Sequence, residues 1–297
     1  MVIVIISMLV ALLLPAIAGA RARARRASCL NNQSQVAKAI LQYESAKGHF
    51  PGYVNQLGKA ITTKLGLDAS KSLANRADLS WVVVILEPLG HADLWKEWRV
   101  GSGQAVALSE VVCPSDLLKV GQPGRLSFVV NCGISDYLID DKGYSEDAAA
   151  YTGYNSSLDI YDPGFGLFFN HDLTRPRITK KSTIGADGIA DGASQTLMLS
   201  ENLEATNWAT TVLQSGVGMV WWSNKVFTSL PETVNVNGPG PANARFLARP
   251  SSNHPGGANA IYADGHGEFL SERMDYAVLR DMMISNQSRA RQAKLIP

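Results

Sequence analysis

The first twenty residues, MVIVIISMLVALLLPAIAGA, carry no charge, and the six that follow, RARARR, carry four arginines. A helix rises about 1.5 Å per residue, so such a run spans roughly 30 Å, about the hydrocarbon thickness of a bilayer. Pro15 lies inside the run, where a helix in lipid tolerates a proline if neighbours re-satisfy the freed carbonyl. Past the arginines, Val36, Ala39, Ile40 and Tyr43 recur at three- and four-residue steps, and the pattern persists to about Lys47. The spacing predicts one long helix, apolar at its start and amphipathic at its end.

Pro51-Gly52 ends this periodicity. Helical signals follow around 60–67, 94–98 and 274–284. Apolar runs between Gly, Pro and Asn predict strands at 105–112, 126–131, 166–169, 196–199, 218–222, 258–263 and 267–270. Residues 81–86 suit a buried strand or a helical turn, and periodicity does not choose. Residues 133–165 and 228–253, rich in Gly, Pro, Asn and Asp, predict long loops. The segment 286–297 reads as a polar, basic tail.

Composition narrows the function. The chain has 297 residues, a formal charge of +1 and 18% charged residues. That balance supplies no strong field for nucleic acid or an acidic polymer. The arginines at 21–26 form the dense basic patch, and their place beside the apolar run suits phospholipid headgroups. Two plain readings of the run compete. Ala16-Ile17-Ala18 and Ala18-Gly19-Ala20 offer small residues for a secretory cleavage, although no positive segment precedes the run. An ordinary single-pass anchor would instead hold the arginines in the cytoplasm.

Chemistry-bearing residues are scattered. Of Cys29, Cys113 and Cys132, the last two end apolar runs and are candidates for a disulfide, while three buried thiols are the simpler account. Asp264-Gly265 between two apolar runs predicts a type I′ hairpin, and with it a structural role for both residues. The same hairpin makes His254, Asp264 and His266 candidate metal ligands. Asp187 and Asp191 lie in GADGIADG, where Asp191-Gly192 predicts a turn and the two aspartates are calcium candidates, although without EF-hand spacing. Glu201 follows an apolar run, with Arg177 or Arg249 as an ion-pair partner. There is no Gly-x-Ser-x-Gly and no His-Glu-x-x-His, and no catalytic or cofactor-binding residue is assigned. The tryptophans are read as packing rather than as sugar-stacking platforms.

Several segments together carry a resemblance. The helix with Pro15, the arginines, Cys29, Asn31-Asn32 and Tyr43 resembles the N-terminal helix of type IV pilin-like proteins. SWVVVILEPL (80–89), VCPSD (112–116), GLFFNHD (166–172), DGASQTLMLSENL (191–203) and NHPGGANAIYADGHGEFLSE (253–272) extend it. They are similar to a large bacterial family, expanded in planctomycetes, that joins a prepilin-type N-terminus to a domain of unknown function. Its C-terminal mark is a His, nine residues, then Asp-Gly. Aligned on Pro15, the family's cleavage Gly and its Glu fall before Met1, so the expectation is a late start, and processing is not predicted for the chain as written. The resemblance implies an α+β fold, with a helix over residues 1–47, its apolar membrane segment at 1–20, laid on a mainly antiparallel β domain at 48–285, then the tail at 286–297. It further implies a non-catalytic, single-pass inner-membrane protein with an extracytoplasmic domain, a pilin or pseudopilin that meets like subunits through its helix and binds no nucleic acid. The alternative is an anchored binding module, for glycan or another surface ligand, that uses the helix as a tether.

Overall fold

The structure is a computed structural model, and it describes residues 2–56, 78–134, 162–171, 182–211, 217–221 and 249–296. Helix α1 runs without interruption over Val2–Lys47, 46 residues, and takes Pro15 into its interior. It ends where Gly48 turns to a φ of 74°, a left-handed stop that glycine adopts without steric cost. Every described side chain of α1 before Cys29 is exposed. From Cys29 on, Gln33, Val36, Ala37 and Ile40 form a buried stripe at three- and four-residue steps. By length and composition α1 is able to cross a membrane, a test that a signal sequence also passes.

The buried stripe lies on a five-stranded sheet. Its strands are β3 (Phe128–Ile134), β4 (Leu197–Glu201), β5 (Gly218–Trp221), β6 (Gly257–Tyr262) and β7 (Gly267–Ser271), in the order β5-β3-β4-β6-β7. The pairs β3–β4, β4–β6 and β6–β7 are antiparallel, and β3–β5 is parallel. A separate two-stranded sheet pairs β1 (Val54–Gln56) with β2 (Asp78–Ser80). The architecture is α+β, as expected. The strands at 126–131, 196–199, 218–222, 258–263 and 267–270 form within a few residues of their predicted bounds.

Other segments depart from the expectation. Residues 81–86 settle as a helical turn, α2 (Trp81–Val84), because the Ser80 hydroxyl accepts the Val83 N–H and caps it. Helix α3 covers Ala92–Arg99. The run 105–112 is no strand. Its middle forms a 3-10 turn, Ser109–Val111, and its carbonyls are taken by partners far along the chain. Gly124 N–H donates to Val106 O, Ser127 N–H to Val111 O, and the Asn32 amide to both Ser109 O and Val112 O. The run 166–169 likewise follows a 3-10 turn, Pro163–Phe165, and ends in a single bridge from Asn170 to Val54.

The predicted C-terminal helix appears as α4 (Tyr276–Met283). The segment 286–297 is not a free tail. It forms α5 (Gln287–Gln292) and buries Ala290, Leu295 and Ile296. The Asn286 side chain accepts the Arg289 N–H, and Asp191 accepts the Gln287 N–H at 2.7 Å, so the first turn of α5 is capped from within and tied to the turn at Asp191. Trp81, Trp208 and Trp221 are fully buried, and each indole N–H donates to a backbone carbonyl, the arrangement of core packing. The helix predicted at 60–67 and most of the two long loops lie outside the described residues.

Candidate functional site

Helix α1 enters the domain at Cys29, and three other segments meet it there. Cys113 follows the 3-10 turn, Glu201 ends β4, and His254 lies in the loop leading into β6. Their ligand atoms, two thiol sulfurs, a carboxylate oxygen and an imidazole nitrogen, all lie within 4.8 Å of one another, and all four residues are buried. Cys29 Sγ donates to Glu201 Oε1 at 2.6 Å. His254 Nε2 is 3.1 Å from the same oxygen and 3.5 Å from Cys113 Sγ.

Each member is held from outside the cluster. The second carboxylate oxygen of Glu201 accepts the Asn259 N–H at 2.6 Å, which fixes the carboxylate and leaves Oε1 turned inward. The other ring nitrogen of His254 faces the Ser115 hydroxyl at 3.5 Å. Its loop is shaped by Ser252, whose hydroxyl accepts the His254 N–H at 2.9 Å and donates to Gly257 O at 2.7 Å. One helical turn past Cys29, Asn32 clamps the Cys113 segment at 2.9 Å to each of two carbonyls, and Gln33 donates to Asn259 O of β6 at 3.2 Å. A small cleft lined by Cys113, Glu201, Ser252 and Asn253 adjoins the cluster.

The electrostatics are those of a shared site. Burial first, then Cys113 and the negative Glu201, push the Cys29 thiol well up. Its closeness to Cys29 holds the Cys113 thiol below the ordinary thiol value against its own burial, helped by His254. Burial alone would depress His254, but its bonds to Cys113 and Glu201 and the Glu201 charge outweigh that and raise it to about 9.

Of the metal-ligand candidates named from the sequence, His254 alone belongs to this cluster. Asp264 and His266 sit apart at the tip of the β6–β7 hairpin, where Asp264 Oδ1 takes the His266 N–H at 3.0 Å and lies 2.6 Å from its Nδ1. The His266 ring stacks on Tyr262 at 4.2 Å. The turn is also not type I′. Gly265 alone has positive φ, 91°, and Gly265 N–H donates to Tyr262 O while Tyr262 N–H donates to His266 O. That is a type I turn closed by a left-handed glycine, with Asp264 bridging the turn through its side chain.

Asp187 is exposed in a 3-10 turn, and Asp191 accepts the Gln287 N–H. Gly192 has a φ of 95°, the turn conformation expected there. Neither aspartate joins a cluster of metal-ligating groups among the described residues.

Cys113 and Cys132 are not bonded to each other. The bond from Ser127 to Val111 places Cys113 beside the start of β3. Cys132 lies five residues farther along, about 16 Å of strand. The sulfur that faces Cys113 is Cys29. Arg249 is not the Glu201 partner either. Its guanidinium donates to Pro250 O at 3.2 Å, and among the described residues the Glu204 carboxylate acts on it. Arg177 lies outside the described residues. Cys29, Cys113 and Glu201 escape sequence reasoning as a group because 29, 113, 201 and 254 form no local spacing. The one sequence signal is Cys29 at the head of the amphipathic stripe.

The chain matches the family model described as "Protein of unknown function (DUF1559)" over residues 18–277. The match spans most of the chain, which therefore belongs to that family. No curated protein and no solved structure matches it.

Proposed function

We propose that this DUF1559 chain is a membrane-anchored, pilin-like structural or assembly protein with an extracytoplasmic domain and no catalytic role. One observation carries the reading: a single helix supplies both the exposed apolar segment and the buried stripe of the domain. A tether that merely holds a domain near a membrane needs no such continuity. A helix built into both phases transmits the position of the domain to whatever packs against its apolar half. Within a membrane such packing favours small residues, and Ser7, Ala11, Ala16, Ala18, Gly19 and Ala20 are exposed on that half. The assignment to an extracytoplasmic assembly follows the pilin resemblance.

The test is the triple substitution Ser7→Leu, Ala11→Leu, Gly19→Leu. A Cβ at Gly19 meets no described residue within 4 Å, so added bulk there is expected to act between molecules. Crosslinking in native membranes is expected to lose the self-associated species, with the domain's melting curve unchanged. Crosslinking that persists undiminished makes the helix a tether. Protease access to the domain in spheroplasts with an intact inner membrane tests its side of that membrane, and protection there would place the domain in the cytoplasm and remove the pilin assignment.

A further inference from the structure

We propose that Cys29 Sγ, Cys113 Sγ, Glu201 Oε1 and His254 Nε2 are the four ligands of one zinc ion, which clasps α1 to the sheet where the helix leaves its exposed half. The inference stands apart from the pilin reading, because it rests on the domain's own geometry.

Three observations converge. The donor set is two sulfurs, one imidazole nitrogen and one carboxylate oxygen, which suits a borderline-soft four-coordinate ion and not calcium or magnesium, which take six or more oxygens. The spacing is close to that of a tetrahedral ion as well, one pair within its range and two short of it. With metal–ligand lengths of about 2.0–2.3 Å, a tetrahedron sets its ligand atoms roughly 3.3–3.8 Å apart. The Cys113–His254 separation is 3.5 Å and the His254–Glu201 separation 3.1 Å. The Cys29–Glu201 contact, 2.6 Å with the thiol proton between them, opens by about 1 Å when an ion replaces that proton. Finally, the outer contacts are those a ligand shell needs. Asn259 N–H fixes the far oxygen of Glu201, and Ser115 faces the far nitrogen of His254.

The same geometry argues against a cysteine nucleophile with a histidine base. In such a relay the orienting acid holds the ring nitrogen opposite the one facing the nucleophile. Here Cys113 and Glu201 both face Nε2. Groups that point at one shared position describe a coordination centre. All four ligands come from the protein and are buried, so the site is closed and structural. On binding, the protons on the two sulfurs and on His254 Nε2 leave to solvent and the ion takes their place.

The test uses the full chain in detergent, reduced and then titrated anaerobically with Co²⁺ and Zn²⁺. One equivalent of Co²⁺ is expected to give sulfur-to-metal charge-transfer absorption and the intense visible bands of a tetrahedral site, both abolished by one equivalent of Zn²⁺. Cys29→Ser and His254→Gln are each expected to weaken binding by more than the roughly 10- to 100-fold that losing an outer partner costs. Ser115→Ala should weaken it by about 10-fold. Cys132→Ser, a buried thiol on β3 outside the cluster, should leave it unchanged. If the ligand variants do not fold, the wild-type cobalt spectrum decides. The proposal is overturned by substoichiometric uptake, by a weak octahedral spectrum, or by peptide mapping of the unreduced protein that finds Cys29 and Cys113 joined as a disulfide.

Discussion

Leu13 and Ile40 are both aliphatic residues of α1, yet the first is 55% exposed and the second 0%. The first half of the helix carries Ile3, Ile6, Met8, Leu9, Leu13, Leu14 and Ile17 outward, exposed among the described residues, and the second half places its fewer apolar residues on the sheet. An exposed apolar surface this continuous is not the surface of a water-soluble domain. The half with the higher hydropathy contributes nothing to the domain's core, and the half with charges and amides builds it. Hydrophobic content therefore marks the half able to cross a membrane, while periodicity marks the half that packs on the described domain.

The strongest way to break this contrast is to make the first half unfit for lipid. Ile6→Asp, Leu9→Asp and Leu13→Asp together place three carboxylates where each costs about 2.5–3.5 kcal/mol at the bilayer centre. The protein is expected to move from the alkali-resistant membrane fraction to the soluble fraction while the melting temperature of its domain stays the same. A domain that melts earlier in the triple variant would show that the first half belongs to the fold after all.

A smaller effect sharpens the contrast within the domain. Ile40→Ala removes a fully buried side chain and is expected to cost about 2–5 kcal/mol of unfolding free energy. Leu13→Ala is expected to stay within about 0.5 kcal/mol. Denaturant unfolding of the two variants in the same detergent compares them directly.

Between these lies the amide clamp beside the candidate metal centre. Asn32→Ala leaves the carbonyls of Ser109 and Val112 without this donor and is expected to cost about 1–3 kcal/mol, whereas its exposed neighbour Asn31→Ala costs little. The loss should also loosen Cys113 from Cys29, read as faster alkylation of Cys113 in the absence of metal.

That clamp explains what is legible in the sequence and what is not. Helix α1 is legible because its apolar run and its stripe are local, periodic properties. Most strands of the large sheet are legible because they are apolar runs between turn residues. The run 105–112 has the same look, but its carbonyls bond to Asn32, Gly124 and Ser127, and no pattern within eight residues reports partners so distant. The 286–297 segment misleads for the opposite reason: its polar residues dominate the composition, while three apolar ones do the packing.

The cluster shows the same limit in sharper form. Sequence proximity groups His254 with Asp264 and His266. The β6–β7 hairpin carries those two to its tip, while His254 stays at the root beside Glu201. Proximity also pairs Cys113 with the nearer cysteine, Cys132, and not with Cys29. The segments around Cys29, Cys113, Glu201 and His254 each stand out separately, and only the sheet order β4-β6, with α1 across it, brings them to one point.

The hairpin tip gives the smallest effect and still bears on the contrast, because it supports the second half of α1. A Cβ at Gly265 would lie 3.2 Å from Leu41, and one at Gly267 2.7 Å from Leu30. Asp264 braces this turn. Its burial would raise its pKa, but the His266 backbone and ring bonds prevail and hold it below the ordinary carboxylate value. A carboxyl whose folded pKa is depressed adds stability above its unfolded pKa, about 3.9, and that stability is lost as pH falls through the folded value. Asp264→Asn should therefore lower stability slightly at neutral pH and leave it unchanged in strong acid. Water screens this exposed pair, so the difference is expected at about 0.5 kcal/mol or less. Paired denaturation curves at pH 7 and pH 2.5 check it, and an equal loss at both values would assign the brace to the turn's hydrogen bonds alone and not to the charge.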